Sequence, residues 1–180
     1  REIKDMGIIG VQNFPTVGLI DAGSVFRMNL EESGLGFDQE VEMLRLAHKM
    51  DLFTVGYCFT PDEARAVAEA GVDIVAVHCG CTTGGLTGVK SVMTIQDAIG
   101  ITNEFIEIAK EARPEHDFMV ITHGGPMDNV ENSQKVLAGT EAVGYTCGSS
   151  IERTAVEPVL IKATQEFKNM DINVPDWFKL

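Results

Sequence analysis

Apolar residues recur along this chain in two rhythms. Continuous runs rich in β-branched residues occupy 8–14, 53–59, 72–78, 118–122 and 142–146, and read as buried strands. Between them the apolar spacing lengthens to three and four residues, which marks amphipathic helices. Asp38 is placed to cap a helix over 38–50, with Val41, Leu44 and Ala47 on one face. Thr60-Pro-Asp-Glu63 has the form of a capping box, followed by an apolar face of Ala64, Val67 and Ala68 and a stop at Gly71. Thr94 caps the longest stripe, Ile95, Ala98, Ile99, Thr102, Phe105, Ala109 and Ala112, and Pro114 prevents its continuation. A shorter helix over 130–137 ends at Gly139, and Val156, Val159, Leu160, Ala163 and Phe167 mark the last one. Residues 1–6 read as the final turn and a half of a helix stopped by Gly7. A glycine-rich loop is expected over 16–37, and a 169–180 tail holds Trp177 as a docking or fraying segment.

Continuous apolar strands alternating with amphipathic helices predict an α/β protein with a parallel sheet and right-handed crossovers. An open doubly wound sheet and a (β/α)8 TIM barrel both fit that alternation. Polar, glycine-rich turns follow nearly every strand rather than one switch point, which favours the barrel. Five βα units after a helix end correspond to strands four to eight, with the first three units absent from this stretch. Residues 1–168 are then the C-terminal portion of one barrel domain. Five strands alone leave two open parallel edges, so the remaining units are expected in the same polypeptide or a companion chain.

Composition narrows the partners. The 180 residues carry a net charge of −13, which argues against a nucleic-acid backbone partner. A small anionic substrate remains compatible, since backbone amides and one arginine make a local positive site. No run approaches the length of a membrane span, and the opening Arg-Glu-Ile-Lys-Asp lacks the apolar stretch of a signal peptide. Cys58, Cys79, Cys81 and Cys147 in or beside strand-like runs suggest reduced thiols, so a cytoplasmic setting is expected.

The strand ends carry the candidate chemistry. Ile121-Thr-His-Gly-Gly-Pro-Met127 supplies His123, Gly124 and Gly125, and the last strand leads into Gly148, Ser149 and Ser150. In a barrel the loops after the last two strands commonly seat a phosphate, and Arg153 would add a charged fork. The bland alternative is that these glycines only make tight turns and Arg153 pairs with a surface acid such as Glu152. His78 and His123 both end strands and would face one mouth as acid, base, electrophile or ligand, unless they are satisfied structural residues. Glu31 could assist as a proton acceptor, and Asp21 and Glu32 are candidates for holding Mg²⁺, against a reading of loop capping and solvation. Asn13 ends the first strand and could orient a ligand oxygen. Thr83, Gly84 and Gly85 could line the mouth or form a mobile lid.

Several motifs together carry a family resemblance. They are Gly10-Val-Gln-Asn-Phe-Pro-Thr-Val-Gly-Leu-Ile-Asp21, Leu30-Glu-Glu-Ser-Gly-Leu-Gly36 with Glu40-Val-Glu-Met43, Thr82-Thr-Gly-Gly85, His123-Gly-Gly-Pro126 and Ser149-Ser-Ile-Glu-Arg153. In this order they resemble the phosphoenolpyruvate-hydrolase-like TIM-barrel family, which also occurs as the C-terminal part of plant antiviral resistance proteins. The resemblance implies a barrel whose first three units lie upstream, and similarity to enzymes of phosphoenolpyruvate or phosphonopyruvate. The expectation is therefore a hydrolase or lyase acting on a small phosphorylated or phosphonate 2-oxo acid. A ligand-sensing or interaction barrel without turnover, tethered to another domain, is the alternative. Self-association of whole barrels is expected in either case.

Overall fold

The computed structural model describes residues 2–90 and 93–170; the expectations for Arg1 and for the tail around Trp177 lie outside them. In chain order the elements are α1 (Glu2–Asp5), β1 (Gly10–Gln12), α2 (Val25–Glu32), α3 (Phe37–Lys49), β2 (Phe53–Cys58), α4 (Pro61–Glu69) and β3 (Ile74–His78). There follow α5 (Ile95–Ala112), β4 (Met119–His123), α6 (Val130–Ala138), β5 (Gly144–Thr146), α7 (Ser149–Glu152) and α8 (Glu157–Lys168). The strands form one parallel sheet in the order β1-β2-β3-β4-β5. Each crossover therefore steps one strand in the same direction. Right-handed connections of that kind place the helices on one face, as in consecutive units of a (β/α)8 barrel and unlike a doubly wound sheet.

Strand alternation divides the sheet into two chemistries. Val75, Val77 and Cys79 on one face pack with Leu44, Ala64, Val67, Ala98, Phe105, Val120 and Met127 into the core beneath the helices. Gly56 leaves room for that packing, because a Cβ there would lie 2.9 Å from Val67 Cβ. The residues between them, Tyr57, Ala76, His78, Ile121 and His123, belong to the opposite face. Registers Tyr57↔Ala76, Ala76↔Ile121 and His78↔His123 carry that face across three strands.

Four local expectations change. Residues 16–37 are not a structureless loop: a 3-10 turn at Val17–Leu19 precedes α2, which Ser24 caps by accepting the Arg27 amide. The helix was masked because its apolar residues do not form a buried stripe; Val25 and Phe26 are exposed while Arg27 is buried. Asp38 does not cap α3. Gly36 is the cap, without a side-chain bond, and Asp38 lies in the first helical turn. At α4 the Thr60 hydroxyl accepts the Glu63 amide, but the Glu63 carboxylate takes the Phe59 amide instead of that of Thr60. Finally, the run at 8–14 yields only a three-residue edge strand, with Ile8 and Ile9 exposed.

Around α5 the expectation and the structure coincide. Thr94 and Asp97 exchange both bonds of a capping box, and Ala98, Thr102, Phe105, Ile106 and Ala109 are buried. By contrast, every residue of α8 is at least partly exposed, so its apolar spacing does not find a core partner in this chain.

Candidate functional site

The carboxyl ends of β2, β3 and β4 bring Tyr57, His78 and His123 together. The two imidazoles stack with centroids 4.6 Å apart and planes 18° apart. Phe59 extends the stack on the far side of His78 at 4.5 Å, and the Phe14 ring lies 6.2 Å from each imidazole. The Tyr57 hydroxyl is 3.3 Å from His123 Nδ1. Period-two alternation explains the convergence: one residue short of the β2 end and the last residues of β3 and β4 share a face.

This environment keeps the imidazoles neutral. Burial, with the charge of His123 as a lesser cause, lowers the His78 pKa from 6.5 to about 3. Burial also pushes His123 down. Gly80 N–H donates to His78 Nδ1 at 3.0 Å, so the neutral ring carries its proton on Nε2. Burial raises the Tyr57 pKa, which keeps its hydroxyl a donor at neutral pH. The strand ends thus gather neutral N–H and O–H groups within a few ångströms of one another, the kind of donors that can polarise a carbonyl oxygen.

Asn13 is drawn into the frame of this site. Its amide donates to Tyr57 O at 3.2 Å and accepts from Tyr57 N at 2.7 Å, continuing the β1–β2 ladder with a side chain. Glu40 holds the same amide at 2.9 Å and also accepts from Thr16 Oγ1 and Val17 N. With its oxygen taken by the Tyr57 amide and its NH2 shared between Tyr57 O and Glu40, the Asn13 side chain positions the tyrosine backbone.

The glycine loops fit against each other. A Cβ on Gly124 would stand 2.2 Å from Gly80 O, and one on Gly125 2.8 Å from Cys79 O, with both glycines at positive φ. Gly125 N–H donates to Gly80 O and its carbonyl accepts from Thr83 N, so this amide is spent inside the protein. Below them Thr122 approaches Cys79 Sγ, Thr102 Oγ1 and Met127 Sδ, a buried knot that pins the loop. Gly148 sits beside His123, where a Cβ would be 3.5 Å from Nε2. Ser149 opens the four-residue α7, and the Ser150 hydroxyl meets Tyr145 Oη at 3.1 Å.

Several candidates land elsewhere. Arg153 does pair with an acid, though with Glu157 at 3.5 Å rather than Glu152, and it donates to Gly84 O at 2.8 Å. Glu31 is ion-paired with Arg27 at 2.6 Å and connects to the histidines through Arg27, Glu63 and Phe59 rather than directly. Glu32 is exposed, and Asp21 Oδ1 accepts the Gly23 amide. Among the described residues no group of three or more His, Cys, Asp or Glu is placed to hold a metal ion. Of the two Mg²⁺ candidates, Asp21 lies in the turn before α2 and Glu32 is the last residue of that helix. Among the described residues no helix is long and apolar enough to cross a membrane.

Sequence reasoning missed Tyr57, Phe59 and Glu40. Tyr57 had a signal, since alternation from Phe53 places it on the histidine face. Glu40 stood out only as part of the Glu40-Val-Glu-Met43 motif, with no local sign of its role, because its partners Asn13, Thr16 and Val17 are more than 20 residues away along the chain.

Known proteins resemble nearly the whole chain. It is 40% identical over 173 residues to "ToMV susceptible protein tm-1(GCR26)" of Solanum lycopersicum, covering 96% of this chain and 22% of that protein. It is 34% identical over 172 residues to "Putative transcriptional regulatory protein y4pA" of Sinorhizobium fredii (strain NBRC 101917 / NGR234), covering 94% of this chain and 27% of that protein. The chain thus spans about a quarter of the length of these relatives. A solved structure described as "Native KDPGal structure" aligns at a TM-score of 0.42 and 21% identity, over 94% of this chain and 74% of that one. The phosphoenolpyruvate hydrolase-like family model matches residues 1–170, and the chain belongs to that family.

Proposed function

We propose that this chain supplies the catalytic strand ends of an enzyme acting on a small phosphorylated or phosphonate 2-oxo acid, by hydrolysis or lyase chemistry. The observation that carries the reading is the stacked, neutral His78–His123 pair with Tyr57 on its flank. His78 Nε2–H and His123 polarise the reacting carbonyl, and Tyr57 holds His123 in orientation. The anionic group lies on the Gly148–Ser150 side, next to His123 Nε2, where Ser149 adds a hydroxyl. Glu31 has no part in this arrangement. Further βα units, pairing with the open edges of β1 and β5, complete the barrel wall around the site.

The test is a thermal-shift series on the full-length protein with inorganic phosphate, phosphoenolpyruvate and phosphonopyruvate. Phosphoenolpyruvate or phosphonopyruvate should raise the melting temperature, and its turnover should vanish in His123→Ala with the far-UV spectrum unchanged. Undiminished turnover in that variant would remove the role assigned to His123.

One observation favours a sensing barrel instead. Gly125 N–H and Arg153, two expected anion donors, are already occupied by Gly80 O and by Gly84 O with Glu157. Binding with no product detected by mass spectrometry after long incubation would support that reading.

A further inference from the structure

The segment 82–88 runs from the loop after β3, past the loop after β4, to the start of α8. It leaves β3, where Thr83 N donates to Gly125 O of the β4 loop at 3.0 Å. It then passes Asp128, whose carboxylate would lie 2.3 Å from a Cβ on Gly84. It finishes against the start of α8, where Leu86 N donates to Glu157 Oε2 at 2.7 Å. Arg153 closes the same corner, donating to Gly84 O at 2.8 Å while Glu157 Oε1 lies 3.5 Å from its guanidinium. The glycines make the closeness possible. At Gly85 a Cβ would stand 2.3 Å from Glu157 and 2.4 Å from Arg153, and the backbone there is left-handed at φ +68°.

We propose that Glu157 is the positioning residue of an anion-responsive strap. It holds the Leu86 amide and Arg153 together, so that 82–88 stays drawn past the loop after β4 to the start of α8. Arg153 Nη1 makes its short bond to the neutral Gly84 carbonyl and reaches Glu157 Oε1 only at 3.5 Å, while Nη2 lies 3.5 Å from Thr82 O. A phosphate or carboxylate oxygen is a stronger acceptor than Gly84 O. An arriving anion therefore takes the guanidinium from Gly84 and loosens the strap, which ties ligand entry to loop opening. This rests on the reading of the site as one for anionic 2-oxo acids, and adds Glu157, a residue outside the histidine cluster.

Hydrogen exchange of the full-length protein tests it by mass spectrometry. Glu157→Ala should speed exchange at 84–87 about 10-fold or more without ligand, while α5 keeps its wild-type protection as the control for folding. Glu157→Gln retains an acceptor for the Leu86 amide and should restore most of that protection. Saturating phosphoenolpyruvate, or inorganic phosphate at high concentration, should speed exchange at 84–87 in the wild type. Unchanged exchange at 84–87 in Glu157→Ala overturns the strap. If phosphoenolpyruvate raises the melting temperature but leaves 84–87 unaltered or slower, the anion-responsive role is wrong and the proposed substrate class survives. If neither anion binds at all, both fail.

Discussion

The neutral histidine pair has a direct consequence for stability against pH. In the unfolded chain His78 titrates at its ordinary 6.5, whereas in the native site it titrates at about 3. Between these values the unfolded chain binds a proton that the folded chain refuses. Stability is therefore fully present above 6.5 and falls as the pH drops through the window down to 3. Each pH unit inside that window costs about 1.4 kcal/mol for one such group. Moving from pH 8 to pH 5 crosses roughly one and a half units of it, a loss of about 2 kcal/mol. His123 is shifted the same way by burial and adds to the trend. The comparison is wild type against His78→Asn, whose side-chain oxygen can still accept the Gly80 amide that Nδ1 accepts now. Urea unfolding of the full-length protein at both pH values gives the slope, and the carboxylates that also titrate cancel between the two proteins. The wild type should lose about 2 kcal/mol more than the variant. Equal losses would mean that His78 protonates freely in the folded state and that the stacked pair is not held neutral.

Four further outcomes follow from the packing. Gly124→Ala places a Cβ 2.2 Å from a backbone carbonyl at a left-handed φ of +77°, and should cost about 2–4 kcal/mol in urea unfolding. Gly100→Ala in α5 meets nothing within 4 Å and should instead stabilise by about 0.5–1 kcal/mol, so equal effects at the two sites would discredit the contact argument. Asn13→Ala strips Tyr57 N–H of its acceptor and Glu40 of a donor. It should cost about 2–4 kcal/mol and shift the titration of His123 seen by NMR, whereas Gln134→Ala should do neither. Leu44→Ala, on the buried face of α3, should lose about 2–5 kcal/mol with the histidine titrations unmoved.

Local rules read much of this chain. The Thr94–Asp97 capping box, the Ala98–Thr102–Phe105–Ala109 stripe and the left-handed stops at Gly7 and Gly71 depend on neighbours within a turn or two. The placement of His78 and His123 at strand ends depends only on where apolar runs stop, and period-two alternation then assigns their face. Hidden helix α2 shows the limit of periodicity. Its apolar residues are exposed and its buried residue is an arginine, so no stripe announces it.

What the sequence by itself determined, then, is the succession of the five strands and of the helices other than α2, the sense of the sheet and the face each strand residue takes, because these follow from hydrogen-bonding geometry and nearby side chains. Only the tertiary structure decided which polar groups satisfy one another. Asn13 became part of a ladder because Tyr57, 44 residues away, offers it both an amide and a carbonyl. Arg153 turned to Gly84, 69 residues distant, because left-handed glycines let that backbone come within reach. Donors and acceptors are few and each is spent once, so the assignment depends on every group that arrives nearby. No local pattern carries that information.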